Sequence, residues 1–275
     1  MPTMDQKRVL DDVVAWATED PNIRLLVVTG SLARGDHDDL SDLDIELYVR
    51  ETHSLLEETA WFERFGEMLV TEALENPGWH PTRLVYYVDG KIDFMIAPVL
   101  ALAEGIAYDV SYLVMVDKDA REKRLEPTVG VAPPSLDEFR VCINWFYAAA
   151  IQYAKAVVRD DPWPVKTRDA DLKERLLQMI EWDHGVRTGW AERPPHNGTR
   201  LSEWTAPEVA GAVAACWSDF STERSGDALR ASVDLFDRLT ERVAAALGFH
   251  EETGGKASAE VQRLLRKAQA EGPIS

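Results

Sequence analysis

The chain of 275 residues, 45% of them hydrophobic, is long enough for two domains with separate cores. Its formal net charge of −18 argues against nucleic acid as a partner, because phosphate backbones bind clusters of Lys and Arg. An acidic cleft would attract a cationic substrate, although acidity can also serve solubility alone. No apolar run approaches the roughly 20 residues of a membrane span, and the N-terminus lacks the pattern of a signal peptide. We therefore expect a cytoplasmic protein with no membrane partner.

Strand and helix patterns are mixed in the first 130 residues. Helical spacing of apolar residues covers 4–18 and 54–75. Strand patterns occur at 25–29, at 43–49, on both sides of the turn signal Asp89-Gly90 within 83–98, and at 112–116. This part of the chain therefore predicts a β-sheet accompanied by helices.

The second half of the chain has a purely helical pattern. A stretch rich in Pro and Gly at 125–136 predicts a linker. Helices are predicted beyond it at 137–160, 169–187, 207–220, 226–247 and 257–270. We therefore predict an α+β protein with domains at 1–130 and 131–250, followed by a charged tail at 251–275 whose helix would dock weakly.

The second predicted strand and the loop before it carry the chemistry. Because strand side chains alternate, Asp42, Asp44 and Glu46 lie on one face. Adjacent carboxylates repel unless a cation neutralises them, and Mg²⁺ prefers one or two carboxylates plus substrate phosphates. Gly30 allows a tight turn, and Ser31 can offer its hydroxyl and N–H groups to a phosphate. For Asp-x-Asp alone, a hairpin with an acidic solvent face is the alternative interpretation.

Asp93 is an acid inside a strongly β-forming, apolar strand. Burying such a residue is costly without a partner or a metal ion. We expect its strand to lie beside the strand of Asp42 and Asp44 and to contribute a third carboxylate. Asp93 could act as general base toward an acceptor hydroxyl or as a third metal ligand, and a salt-bridged structural Asp is the alternative.

Several motifs resemble a known family. Gly-Ser, ten residues and Asp-x-Asp between two strands resemble the signature of the polymerase-β-like nucleotidyltransferase superfamily. LLQMIEWDHGVRTGW at 176–190, NGTRLSEW at 197–204 and KIDFMIAP at 91–98 are similar to segments of the aminoglycoside 6-adenylyltransferases, which modify streptomycin. The resemblance runs from about residue 5 to residue 250, in the family's order.

This resemblance implies a fold and an activity. The fold would be a nucleotidyltransferase domain, a mixed β-sheet with flanking helices, followed by a C-terminal helical bundle, with ATP and Mg²⁺ between them. The reaction would transfer AMP from ATP to a hydroxyl of a small cationic antibiotic, an aminoglycoside such as streptomycin, and release pyrophosphate. The protein would thus be an adenylyltransferase that confers antibiotic resistance.

The residues can be assigned to steps of such a reaction. Asp42 and Asp44 would bind one or two Mg²⁺ ions that bridge the ATP phosphates, while Gly30 and Ser31 hold the phosphates. The cations expected to neutralise the departing pyrophosphate are Arg34, Lys155 and Lys166. For Arg34 and Lys166 a solvated surface charge is an equally good interpretation.

Glu181, Trp182 and Asp183 are candidates for binding the cationic substrate. A Trp ring offers a cation–π face, and carboxylates offer charge pairing. The alternative is that Trp182 belongs to the core and that its acidic neighbours are solvated.

Two other functions remain open at this stage. A nucleotidyltransferase of the same fold could modify another small molecule, such as a lincosamide, or a protein. A non-catalytic nucleotide-binding regulator could also keep the fold, but such proteins usually lose one carboxylate of the pair. Both Asp42 and Asp44 are present here, which favours an enzyme.

Overall fold

The computed structural model of the chain describes residues 6–88, 90–103, 105–108, 111–127, 130–250 and 254–271. Within it the chain folds as two units, Met1–Val129 and Gly130–Ser275. Parts of some predicted segments lie outside the described residues. These parts are the start of the helix at 4–18, Asp89 of the hairpin turn, residues 128–129 of the linker, and residues 251–253 and 272–275 of the tail.

The first unit is built around a mixed six-stranded sheet. Its elements are α1 (Gln6–Glu19), β1 (Ile23–Val28), α2 (Gly30–Arg34), β2 (Leu43–Val49), α3 (His53–Glu57), β3 (Met68–Leu74), β4 (Thr82–Tyr87), β5 (Gly90–Pro98), β6 (Ile106–Tyr108), β7 (Leu113–Asp117) and β8 (Leu125–Pro127). The strand order is β3-β4-β5-β2-β1-β7, and β6 and β8 form a separate two-stranded sheet. Strands β2 and β5 are parallel, and the other neighbours in the large sheet are antiparallel.

The two faces of the large sheet differ because β2 and β5 alternate apolar and polar residues. One face packs against α1 and a 3-10 turn at Ala60–Phe65, where Trp16 and Trp61 stack with ring centroids 5.0 Å apart. The opposite face has a smaller core around Tyr48 and Tyr108 at one end. The acidic residues of β2 and β5 lie on that same opposite face.

The prediction of a helix at 54–75 is wrong. The structure has α3, the 3-10 turn and then strand β3, which pairs antiparallel with β4. The apolar residues of this segment fit a helical period, but their actual partners are distant strands and aromatic rings, and such tertiary contacts override a local pattern. At the break, Gly66 lies against Tyr87, and a Cβ added there would be 3.1 Å from the ring.

The second unit is helical and has its own core. Its helices are α4 (Leu136–Val158), α5 (Pro162–Thr188), α6 (Leu201–Trp204), α7 (Pro207–Val213), α8 (Thr222–Leu247) and α9 (Gly255–Glu271). Helix α4 begins with a capping box in which Ser135 and Glu138 satisfy each other's backbone N–H groups. Helix α5 begins earlier than predicted because prolines are tolerated in the first helical turn, where their missing N–H groups are not needed.

Helix α9 packs more closely than the sequence predicted. Val261 and Leu265 are fully buried in the core of the second unit. The Ser258 hydroxyl donates to Asp237 at 3.0 Å, which connects α9 to α8. Among the helices that the structure describes, none has the length and apolar composition needed to cross a bilayer.

Candidate active site

Three carboxylates meet on the open face of the sheet, at the ends of β2 and β5. Parallel pairing places Asp44 directly beside Asp93, and Asp42 immediately precedes β2. The structure thus confirms that the two predicted strands are neighbours. Their register is held from the other face, where Leu43, Ile45 and the apolar residues of β5 are fully buried.

Lys91 partly neutralises this cluster and was not identified from the sequence. Its ammonium group donates to Asp42 Oδ2 and to Asp93 Oδ2, both at 2.9 Å. Burial lowers the pKa of Lys91, but the hydrogen bonds and charges of the two carboxylates outweigh burial and raise it above its usual value. Lys91 lies two residues before Asp93 on the same strand face, so the period of the strand could have indicated it.

Burial disfavours the ionised form of Asp93 and of Asp44. Burial raises the pKa of Asp93 to about 6, although the Lys91 ammonium acts in the opposite direction. Burial also raises the pKa of Asp44, and the charge of Asp42 adds to that effect. Asp93 Oδ1 is buried and accepts no hydrogen bond from the described residues. A carboxylate cluster in this state favours an added cation.

The Gly-Ser turn lies against the cluster. Gly30 has φ +66°, and a Cβ added to it would overlap the Asp44 carboxylate. The Thr29 N–H donates to the Asp44 carbonyl at 3.0 Å, which holds the turn in place. Ser31 is half-buried in the short helix α2. Arg34 is exposed and pairs with Asp36 at 3.2 Å.

The donor set fits Mg²⁺ as a partner of phosphates. Within the part of the chain that the structure describes, no three His, Cys, Asp or Glu side chains are spaced as ligands of one metal ion. Lys91 explains this, because its ammonium lies between Asp42 and Asp93. Mg²⁺ needs only one or two carboxylates when phosphates and water complete its shell, so Asp42 and Asp44 would be enough to hold it.

The two lysines predicted to bind pyrophosphate have different surroundings in the second unit. Lys155 is exposed on α4. Lys166 donates to the Ser218 hydroxyl at 2.8 Å and to the Ser225 hydroxyl at 3.2 Å. These hydrogen bonds connect α5 to the segment before α8 and to α8 itself, which gives Lys166 a structural role in its own unit.

The three predicted substrate residues on α5 also differ. Asp183 is buried and pairs with Arg242 at 2.9 Å and with Arg187 at 3.7 Å. Trp182 packs against the core beside Phe139, with ring centroids 6.1 Å apart. The packing of Trp182 agrees with the alternative interpretation, whereas Asp183 is buried and ion-paired and not solvated, as that interpretation expected. Glu181 is half-buried, and burial raises its pKa.

A cavity of about 600 Å³ opens on the same sheet face as the carboxylates. Glu46 lies in its wall and accepts hydrogen bonds from the hydroxyls of Tyr48 and Tyr108. Sequence reasoning gave Glu46 only a supporting position on the metal face. The cavity could not be predicted because it is lined by strands and loops that are far apart in the chain.

Adjacent carboxylates beside a Gly-Ser turn, on the open face of a mixed sheet, are the features of a nucleotidyltransferase. A family model described as streptomycin adenylyltransferase matches residues 3–264. The chain therefore belongs to the streptomycin adenylyltransferase family and is a nucleotidyltransferase.

Three known proteins are similar to this chain. An aminoglycoside 6-adenylyltransferase from Campylobacter jejuni is 23% identical over 258 residues, which cover 89% of this chain and 90% of the relative. The solved structure of an aminoglycoside 6-adenyltransferase from Bacillus subtilis has 17% identity and a TM-score of 0.48, covering 97% of this chain and 99% of that one. A spectinomycin adenyltransferase from Enterococcus faecialis, solved with ATP and spectinomycin, has 14% identity and a TM-score of 0.31, covering 98% and 100%.

We predict that Lys91→Met lowers the stability of the protein in the absence of divalent cations. Two partly buried carboxylates would lose their counter-charge, at a cost of about 1–2 kcal/mol in the free energy of unfolding. Thermal unfolding in EDTA measures the loss, and Mg²⁺ should stabilise Lys91→Met more than wild type because it would add positive charge to the same carboxylate cluster.

Lys123→Met is the matched control, because Lys123 is an exposed lysine of the same unit. It should change stability by less than about 0.5 kcal/mol. Equal melting temperatures for the two variants, in EDTA and in Mg²⁺, would contradict the role of Lys91.

Proposed function

We propose that this protein transfers AMP from ATP to a hydroxyl of an aminoglycoside, with streptomycin as the acceptor, in a reaction that depends on Mg²⁺. The observation that carries the proposal is the pairing of Asp44 with Asp93 beside the Gly30 turn. Membership of the streptomycin adenylyltransferase family supports the class of acceptor.

The reaction is a single displacement at phosphorus. The acceptor hydroxyl oxygen forms a bond to the α-phosphorus of ATP, and the bond from that phosphorus to the oxygen bridging to the β-phosphate breaks. Pyrophosphate leaves with the bonding electron pair, and the hydroxyl proton passes to a base. Catalysis of such a transfer depends on positioning, on neutralisation of phosphate charge and on that base.

The residues of the first unit can meet these requirements. Asp42 and Asp44 would hold Mg²⁺, which supplies positive charge at the phosphates when it is bound. The Gly30 backbone and the Ser31 hydroxyl would contact the phosphates. Asp93 would accept the proton, since it is half-buried and its Oδ1 has no hydrogen-bond partner among the described residues.

The charge of the chain suits a cationic acceptor. The formal net charge is −18, and the open sheet face carries four acidic side chains, two of which pair with Lys91. Such a surface attracts polycations and raises their rate of encounter at low ionic strength. A neutral acceptor would gain nothing from this field.

We predict pyrophosphate release from Mg·ATP when streptomycin is added, in an assay that compares it with spectinomycin, kanamycin and a lincosamide. Asp44→Ala should reduce the rate by more than about 100-fold, because it removes a carboxylate that would hold the metal ion. Turnover with the lincosamide alone would show that the acceptor is a lincosamide and not an aminoglycoside. No release with any compound would contradict the proposed activity.

We predict that Gly30→Ala reduces turnover by about 100-fold, because the new methyl group would displace the Asp44 carboxylate by about 1 Å. Gly35→Ala is the matched control. Gly35 also has a positive φ, +79°, but apart from its chain neighbours no described residue has an atom within 4 Å of its added Cβ. Both variants bear the same type of backbone strain, so equal rates for the two would show that contact with Asp44 is irrelevant.

We predict that Asp93→Asn lowers kcat by about 100- to 10,000-fold, the usual contribution of a general base. Affinity for Mg·ATP, measured by calorimetry, should stay within about threefold of wild type, because the carboxylates that would hold the metal ion remain. A loss of Mg·ATP affinity would instead make Asp93 a metal ligand. Retention of wild-type kcat would exclude both roles.

A further inference from the structure

The cavity in the first unit continues the carboxylate face of the sheet. It opens above Glu46 of β2 and Met95 of β5, which are paired across the two strands. The same pairing two residues earlier joins Asp44 to Asp93. Two residues of a strand span about 7 Å, so the cavity is an immediate neighbour of the proposed transfer site.

The hydrogen bonds of Glu46 orient one of its oxygens and leave the other available. The hydroxyls of Tyr48 and Tyr108 both donate to Oε2, the former at 3.0 Å. Oε1 accepts no hydrogen bond, and the carboxylate forms no ion pair, with any residue that the structure describes. A half-buried carboxylate in the wall of a cavity, held by two fixed donors, is a prepared acceptor for a cationic donor.

The rest of the cavity wall suits the body of an amphipathic cation. Trp79 lies at the wall with 80% of its surface exposed, so its indole face is available to a ligand. Met95 and Ile106 provide apolar surface. Aromatic faces attract ammonium and guanidinium groups, and desolvation beside apolar surface strengthens that attraction.

The charge distribution assigns the cavity to the acceptor rather than to the nucleotide. Lys91 lies at the Asp44 end of this face, where its ammonium pairs with Asp42 and Asp93, both at 2.9 Å. Once Mg²⁺ is bound to the carboxylates, that end would attract a triphosphate, whereas the Glu46 carboxylate would repel it. A cationic acceptor would then prefer the Glu46 end.

We propose that this cavity is a specificity subsite, in which Glu46 Oε1 and the Trp79 ring bind a guanidinium or ammonium group of the acceptor. The inference rests on the proposed function and adds the part of the acceptor that the first unit recognises. Asp93 is the diagonal neighbour of Glu46 across β2 and β5, so an acceptor whose cation binds Glu46 would need its reacting hydroxyl roughly 8 Å from that cation to reach Asp93.

The test is steady-state kinetics of Glu46→Gln, which keeps the shape of the side chain and an oxygen for the tyrosine hydroxyls. KM for the acceptor that wild type modifies should rise by about tenfold or more, the effect of losing one charge-assisted hydrogen bond. The KM for ATP and kcat should stay within about twofold of wild type. An unchanged KM for the acceptor, or a rise in the KM for ATP instead, overturns the proposal.

Two further variants separate recognition from folding. Glu57→Gln removes the same charge from an exposed helical position of the same unit and should leave every constant unchanged. Trp79→Ala alters a largely exposed side chain and should raise the KM for the acceptor by about threefold to tenfold. If Glu46→Gln fails to fold, the Trp79→Ala result decides, because an unchanged KM there overturns the proposal.

Calorimetric titration of streptomycin into wild type and Glu46→Gln distinguishes failure of this inference from failure of the proposed function. Binding that is lost in Glu46→Gln supports the subsite even if wild type transfers no AMP, in which case only the proposed activity fails. Turnover by wild type with equal binding in both proteins overturns the subsite and leaves the activity intact. Absence of binding to wild type overturns the subsite as well.

Discussion

The pairing of Asp44 with Asp93 across two parallel strands is the constraint on which the site depends. The charges of two such neighbouring carboxylates repel each other, and the pairing of β2 with β5 keeps their backbones side by side. The register is set on the opposite face, where Leu43 and Ile45 are fully buried. A shift of one residue would bury the carboxylates and expose the core, so burial of the apolar face fixes the charges in place.

Lys91 makes this arrangement compatible with a folded protein. Its ammonium group pairs with two of the three carboxylates but offsets only one negative charge, and Asp93 Oδ1 keeps no partner among the described residues. The cluster is therefore only partly compensated. Binding of a divalent cation would stabilise a site in this state, because the cation would supply the missing positive charge. Phosphates of the nucleotide would in turn be attracted by that cation, Lys91 and Arg34.

The chemical composition of the open face of β2 and β5 changes along the strands. It begins with the carboxylate cluster and the Gly30 turn, continues to Glu46 and the cavity, and ends at the buried ring of Tyr48. Our two proposals divide this face into a phosphate end and a cation end. The tyrosine hydroxyls that hold Glu46 belong to the small core, so packing at one end orients the carboxylate in the middle.

The sequence predicted those parts of the fold and site that depend on short-range periodicity. The period of two placed Asp42 and Asp44 on one face, and the hairpin pattern identified β5 and its Asp93. The sequence could not show that Asp183 pairs with Arg242, since that contact depends on how two helices pack. Strand β3 was mistaken for a helix for the same reason, because its pairing with β4 outweighs its local pattern.

The most direct test of the central claim is mass spectrometry of streptomycin after incubation with Mg²⁺, ATP and either wild type or Asp44→Asn. This measurement detects the transferred group itself, whereas pyrophosphate release can also follow from hydrolysis of ATP. The account predicts streptomycin carrying one AMP group with wild type and unmodified streptomycin with Asp44→Asn. Equal modification by both proteins would contradict the assignment of the transfer site to this carboxylate cluster, and unmodified streptomycin with wild type would contradict the proposed reaction.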